Sequence, residues 1–268
     1  MAETTADGGT KALTRAGIAL ALAACIGAAG FFGYQEHQRR EAEAAAAEAR
    51  RQADDLAVAL VGRAAKALDT FNQGLTRASG PVDVDARSAA ASAELMGVAS
   101  DFGDPRLLAR PGVNEAIRMH ALKADAFVRA FAGYFQAMAA THESLTAARA
   151  GQAQAEGQAK RALALSILAG HFGPVAEAVA EERRTAQHAK DAREGMVLAA
   201  EARDTLVAAA TELAAATARI TSELGGAVPS LALYDYAELA QRMAAVDVEA
   251  EVTARVDEEA PPPARATP

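Results

Sequence analysis

Tryptophan is absent from the chain, cysteine occurs once, and aromatic residues make up only 4% of 268 positions. The single cysteine, Cys25, lies in an apolar N-terminal stretch, so the rest of the chain has no thiol for an internal disulfide or a thiolate metal site. The side chains that favour β-strands, β-branched and aromatic, are scarce. We therefore expect almost no sheet.

An excess of positive charge is also lacking, since the formal net charge is −8, although a local basic patch stays possible. This excludes nucleic acid as the expected main partner, since binding to phosphates requires clustered Lys and Arg. What is present is alanine, with leucine, glutamate and arginine, all good helix formers. The composition predicts an all-α protein: an N-terminal transmembrane helix followed by an elongated helical bundle or antiparallel coiled coil.

Residues 16–34 read AGIALALAACIGAAGFFGY and carry no charge. As a helix they would span about 28 Å, close to the ~30 Å hydrocarbon thickness of a bilayer. Aromatic residues at 31, 32 and 34 would lie at the membrane interface. We predict a transmembrane anchor at 16–34, after a short N-terminal tail at 1–15.

The expected location is the bacterial inner membrane, with a single span and the bulk of the chain on the periplasmic side. Basic residues flank the span on both sides, so the orientation depends on the signal-like character of the N-terminal tail. Two alternatives to an anchor helix stay open. Leu22-Ala23-Ala24-Cys25 resembles the bacterial lipobox, which implies lipidation of Cys25, although the chain stays apolar for nine residues beyond it. The second alternative is that this segment is an ordinary cleaved signal peptide.

Ala19, Ala23 and Gly27 recur at every fourth position of this segment. Such a stripe of small residues would let two anchor helices approach closely. Chance spacing in an Ala-rich segment is the competing interpretation.

Beyond the anchor we expect a polar helical stalk at 35–56, an α-helical bundle at 57–256 and a disordered acidic and Pro-rich tail at 257–268. Apolar periodicity, with Gly and Pro as breaks, predicts the bundle's parts. They are a helix ending before Gly80-Pro81, a short helix at 86–100, a loop at 101–112, a helix at 113–145, a weak glycine-containing spot at 151–157, an apolar helix at 161–172, a long helix at 175–224 and a last helix at about 230–256. The aromatic residues between Phe127 and Phe135 are the predicted centre of the core.

A seven-residue repeat in the long helix predicts a helix-pairing face. Its members are Ala192, Ala199, Leu206, Leu213 and Ile220. Gly195 is the one weak position within this helix, since glycine costs about 1 kcal/mol relative to alanine there.

Catalytic signals are lacking. Asp101-Phe102-Gly103 matches a kinase tripeptide without the other kinase motifs, so we treat it as coincidence. His37 and Glu41 have helical metal-site spacing, but in an exposed stalk, and we assign no metal and no cofactor. His120, His142 and His171 are interpreted as core-edge or surface residues. We expect no enzymatic activity.

The main functional hypothesis is a membrane-anchored helical scaffold or adaptor that pairs with a protein partner or with a second copy of itself. A helical sensory module that binds a ligand and signals through a separate membrane protein is the first alternative. A lipoprotein carrying the same helical domain is the second.

Overall fold

The computed structural model describes the backbone of residues 8–75, 77, 80–169, 173–226, 228, 231 and 234–259. Side chains are described from Tyr34 onward within these ranges, except at 102, 165–169, 173–176 and 259. These ranges contain α-helices and short 3-10 turns and no β-strand, which confirms the all-α prediction. The helices are α1 (Gly8–Leu75), α2 (Pro81–Ser100), α3 (Pro111–Ala169), α4 (Gly173–Glu223), α5 (Tyr236–Ala244) and α6 (Val248–Glu259), with 3-10 turns at Asp101–Gly103 and Pro105–Ala109.

The chain divides into two compact units, 1–55 and 56–268. In the first unit, every residue of α1 from 34 to 52 is exposed. Ion pairs four residues apart support this polar stretch, with Arg39 Nε 2.8 Å from Glu43 and Arg40 Nε 3.1 Å from Glu36. Each such pair adds only a few tenths of a kcal/mol to helix stability.

The predicted anchor at 16–34 lies within the bounds of α1, but the side chains of 16–33 are outside the described residues. The predicted lipidation site Cys25 and the stripe of Ala19, Ala23 and Gly27 are outside them too. Among the residues that are described, no helix is both long enough and apolar enough to span a bilayer. The membrane anchor therefore stays a prediction.

The second unit contains an antiparallel hairpin of α3 and α4. Residues farther along α3 contact residues nearer the N-terminus of α4. The pairs in this order are Gly112 with Glu223, Lys123 with Glu212, Thr141 with Gly195, and Gly151 with Thr185. One register thus holds over most of both helices, as in an antiparallel coiled coil.

The C-terminal part of α1 and the whole of α2 complete a four-helix bundle at one end of this hairpin. α1 and α2 are antiparallel, because Arg87 of α2 lies over Gly74 while Asp101 at the far end of α2 pairs with Arg63 at 2.7 Å. α2 and α3 are antiparallel as well, since Ser92 bonds to Asp125 and Asp85 to Gln136. The four helices therefore run up, down, up and down.

Aromatic rings form the centre of this bundle. Phe127 is buried, and its ring lies 5.3 Å from Tyr236 of α5 and 6.4 Å from Phe131. Phe131 in turn meets Phe71 of α1 edge-on at 5.7 Å. Of the predicted aromatic centre at 127–135, Phe127 is in the core and the partly buried Phe131 and Tyr134 pack against it. Phe71 and Tyr236 join them from helices distant in sequence.

Two predicted helix boundaries were wrong because proline begins helices here. Pro81 is the first residue of α2 and Pro111 that of α3. The first turn of a helix leaves its N–H groups unpaired, so proline loses nothing there and its fixed φ suits the helix. The loop expected at 101–112 is instead largely made of two 3-10 turns.

The glycines interpreted as weak positions lie inside continuous helices. Gly151 belongs to α3, and a Cβ there would come 2.5 Å from Thr185 Oγ1. A Cβ at Gly195 would come 2.7 Å from Thr141 Oγ1 and 3.3 Å from its Cα. Both residues let the hairpin helices approach closely, which a single-helix propensity cannot reveal.

The single C-terminal helix expected at about 230–256 is two helices. Asp235 accepts a hydrogen bond from the backbone N–H of Glu238 at 2.9 Å and so caps α5. Asp247 does the same for Ala250 at 3.1 Å, starting α6. A capping side chain begins a new helix because it pairs an N–H that the helix leaves free.

Candidate interaction surfaces

The antiparallel pairing of α3 and α4 forms a furrow along the hairpin. α6 lies in the middle section of this furrow, where Val248 and Val252 pack against Met138 and Ala199. The end of α6 is fixed by an ion pair between Asp257 and Arg149. The furrow between α3 and α4 therefore accommodates an α-helix.

Beyond Arg149 the furrow continues as a groove whose described lining residues all belong to α3 and α4, with a volume of about 600 Å³. We call it the distal groove. Its α3 side comprises Gln152, Ala155, Glu156, Ala159, Ala162 and Leu163, and its α4 side Ala178, Val179, Glu182, Thr185, Ala186 and Ala189. Leu163 is 64% exposed and Val179 41% exposed, so large apolar side chains face solvent here.

The distal groove belongs to the same helix face that holds α6. On α3, Met138, Leu145, Gln152 and Ala159 follow one another at seven-residue spacing. The first two pack in the cluster that holds α6, and the last two line the open groove. Residues seven apart lie on one face of a helix. α6 and the distal groove therefore share a continuous surface.

Negative charge marks the edges of the distal groove. Glu156 and Glu182 are its only charged lining residues among those described, and both are exposed. Neither carboxylate forms an ion pair with a basic side chain in the part of the chain that the structure describes. The groove combines an alanine-rich floor with two solvated carboxylates.

A second groove, of about 710 Å³, lies between α1 and α2. Its floor includes Phe71 and Ala91, and Arg63, Lys66, Arg87, Asp83 and Glu94 surround it. Arg63 is held by Asp101 at 2.7 Å and approaches Glu94 at 3.9 Å. Among the described residues, the groove therefore has an apolar floor and a mixed charged rim with one more cation than anion.

His120 is the most unusual titratable residue of the bundle. It is 1% exposed, and its Nε2 has no hydrogen-bond partner among the described residues. Burial lowers the pKa of His120 to about 4, because the charged imidazolium would lose its hydration. His120 is therefore a neutral core residue at pH 7.

The three histidines considered in the sequence form no common site. His142 is partly buried on α3 and stands about 33 Å along the helix from His120. His171 lies outside the described residues. In the stalk, His37 Nε2 is 3.2 Å from Glu41, but no group of three or more potential metal ligands occurs in the described part of the chain.

The predicted helix-pairing face lies inside the chain's own bundle. Leu206, Leu213 and Ile220 belong to the main core, whereas Ala199 packs beside α6 and Ala192 is likewise buried. These five residues pair helices within one chain, because α3 and the surrounding helices already cover them. The distal groove is an open surface among the described residues, and the sequence analysis missed it because its heptad positions Gln152 and Ala159 are polar or small.

The chain is thus an all-α protein built on a four-helix bundle with a long antiparallel hairpin. No protein-family model, no curated protein and no solved structure matches it significantly. Argument about its function therefore depends on the surfaces described above.

Proposed function

We propose that this protein is a membrane-tethered helical scaffold or adaptor that binds a partner protein through the distal groove. The observation that carries the proposal is a continuous helix-accepting furrow of which α6 occupies only part. Exposed apolar surface bordered by polar residues is typical of protein-binding sites. The heptad face named from the sequence has no part in this proposal, since it is buried.

The tether is supported by the sequence of 16–34, which is uncharged and long enough to cross a bilayer. The mass of the mature N-terminus, measured after expression of the full chain in a bacterial host, tests it. An intact Met1 or Ala2 supports an anchor helix. Cleavage before Cys25 with an added diacylglycerol, lost in Cys25→Ser, replaces the helix by a lipid tether, and cleavage without lipid overturns tethering altogether.

Partner binding is tested by site-specific photo-crosslinking in living cells. A photoreactive amino acid replaces Ala159, which lines the distal groove, or Ala153, which is exposed on another face of α3. The expected result is a discrete adduct from position 159, identified by mass spectrometry, and none from position 153. Equal labelling at both positions, or none, contradicts the proposal.

The groove between α1 and α2 favours a second candidate function, a ligand-binding module. Phe71 and Ala91 offer an apolar floor, and Lys66 forms no ion pair with another described residue. This arrangement suits a small amphipathic carboxylate. A ligand at about 100 times its Kd stabilises a protein by about 2.7 kcal/mol.

Thermal unfolding with and without decanoate checks this candidate. A rise in Tm that Lys66→Ala reduces and Lys190→Ala leaves unchanged supports it, because Lys190 lies on α4 outside this groove. No rise in Tm at millimolar decanoate contradicts it.

A further inference from the structure

We infer that the occupant of the distal groove is a basic amphipathic helix of a partner protein, with small apolar residues on one face and Lys or Arg along both flanks. This inference rests on the proposed adaptor function and specifies the chemistry of its partner. Three features support it: the shape of the furrow, the size of its floor residues and the charge at its edges.

The shape follows from α6, which already lies as a helix in the same furrow. Its buried residues Val248, Val252 and Val256 recur at every fourth position. The open section from Gln152 to Leu163 extends about 17 Å along α3, which is three turns of helix. A second helix can therefore continue where the contacts of α6 end, with an apolar stripe of the same spacing.

The floor residues favour a helix over an extended peptide. Six of the lining residues are alanines, and the two hairpin helices are themselves drawn close at Gly151, beside Thr185. Small residues lower the floor so that the backbone of a third helix can approach, as in helix pairs with small residues at the contact. An extended strand gains little here, because the backbone groups of α3 and α4 along the groove lie inside the helices and are hydrogen-bonded within them.

The negative charge at the edges of the distal groove favours a helix with basic flanks. Glu156 stands on the α3 edge and Glu182 on the α4 edge, with no lining Lys or Arg among the described residues. Complementary Lys or Arg on the flanks of the occupant would pair with both carboxylates, and such complementarity gives specificity and faster association. A second copy of this chain is disfavoured, since face-to-face pairing of two identical grooves brings the same carboxylates together.

Residues 260–268, which follow α6 in the chain, are the remaining candidate occupant. Their sequence, APPPARATP, contains three consecutive prolines and no apolar stripe of the required spacing. Their composition is thus unlike that of α6. Truncation after Glu259 separates this occupant from a partner helix in the experiment below.

The experiment measures binding of two synthetic helical peptides to the purified full chain by fluorescence anisotropy. The peptides share an Ala and Val stripe and differ only in their flanks, which carry Lys in one and Glu in the other. We expect the Lys peptide to bind at least tenfold more tightly at 50 mM salt. The preference should shrink as salt rises, because exposed charges are screened.

Variants of the chain locate the binding and its charge dependence. The double variant Glu156→Lys/Glu182→Lys should remove or reverse the preference, whereas Glu48→Lys/Glu201→Lys, at exposed sites outside the groove, should leave it unchanged. Ala159→Phe fills the groove and should weaken binding at least tenfold. Ala153→Phe is its matched control.

Equal binding of both peptides, or no binding of either, overturns the inference. Binding that appears only after truncation at Glu259 assigns the groove to the chain's own end and overturns it as well. So does self-association of the full chain that Ala159→Phe abolishes. If photo-crosslinking from position 159 succeeds while the Lys peptide fails, the adaptor function stands and the basic helix alone is wrong.

Discussion

The two ends of the α3–α4 hairpin differ in what covers them. Near Pro111 and Glu223 the hairpin packs with α1, α2 and α5 around large side chains such as Phe127 and Leu213. Past Arg149 its furrow is lined mainly by alanine, with two glutamates and Gln152, Leu163, Val179 and Thr185, and among the described residues all of these belong to α3 and α4. The same helices thus form a densely packed base at one end and an open groove at the other, because packing partners and side-chain size change along them.

Leucine-to-alanine substitutions at the two ends should give the largest contrast. Leu206→Ala, in the covered part, should lower the free energy of unfolding by about 3 kcal/mol, since the leucine is fully buried and its removal leaves a cavity. Leu163→Ala, in the distal groove, should change it by less than about 0.5 kcal/mol. Denaturant unfolding of both variants measures this. Similar losses would show that the groove is covered in solution.

Acid should destabilise the covered end through His120. Its pKa is about 4 in the folded chain and about 6.5 when unfolded, so the unfolded state takes up a proton first as the pH falls. The stability that the chain has with His120 neutral is fully present above pH 6.5. It falls progressively down to pH 4, by about 3 kcal/mol in total.

Unfolding free energies of wild type and His120→Gln between pH 7 and pH 4 isolate this contribution. The difference between the two curves should shrink toward low pH. His188→Gln, at an exposed position of α4, is the matched control and should run parallel to wild type. Parallel curves for His120→Gln would mean that His120 is not buried as a neutral group.

Glycine-to-alanine substitutions should change the free energy of unfolding in opposite directions at a close helix contact and at an open helix position. At Gly195 the added methyl group meets the backbone of Thr141, so a loss of about 1–2 kcal/mol is expected. At Gly157 nothing lies within 4 Å of the new Cβ, and the better helix propensity of alanine should add up to about 1 kcal/mol. Thermal or denaturant unfolding of both variants measures these two changes in stability. Stabilisation by Gly195→Ala would disprove the close helix approach.

The exposed ion pair between Lys123 and Glu212, 2.7 Å apart, should contribute least. A double-mutant cycle with Lys123→Met and Glu212→Gln should give a coupling of about 0.2–1 kcal/mol that declines with salt. A larger coupling would mean that the pair is shielded from solvent more than its exposure indicates.

Much of the fold could be predicted from the sequence, and the errors have specific physical causes. Helical periodicity identified the heptad face of α4 from Ala192 to Ile220, and all five of its residues are buried. Pro81 and Pro111 were interpreted as breaks because proline disrupts the interior of a helix. The sequence analysis did not consider that proline also fits the first turn of a helix. Gly151 and Gly195 were interpreted as weak because their close neighbours, Thr185 and Thr141, are remote in sequence.

The candidate site could hardly be predicted. Its stripe begins with Met138 and Leu145 and continues through Gln152 and Ala159, where hydrophobicity fades although the spacing does not. A search for seven-residue continuity independent of residue size would have found it. That the stripe faces an open furrow depends on where α6 ends, which no local pattern encodes.

The sequence by itself determined that the chain is helical and which faces of its helices are apolar, because backbone propensity and side-chain periodicity act over a few residues. Only the tertiary structure decided which apolar faces are covered within the chain and which stay open. That outcome depends on the register of α3 against α4 and on the point at which α6 ends, and both are set by contacts between residues far apart in sequence.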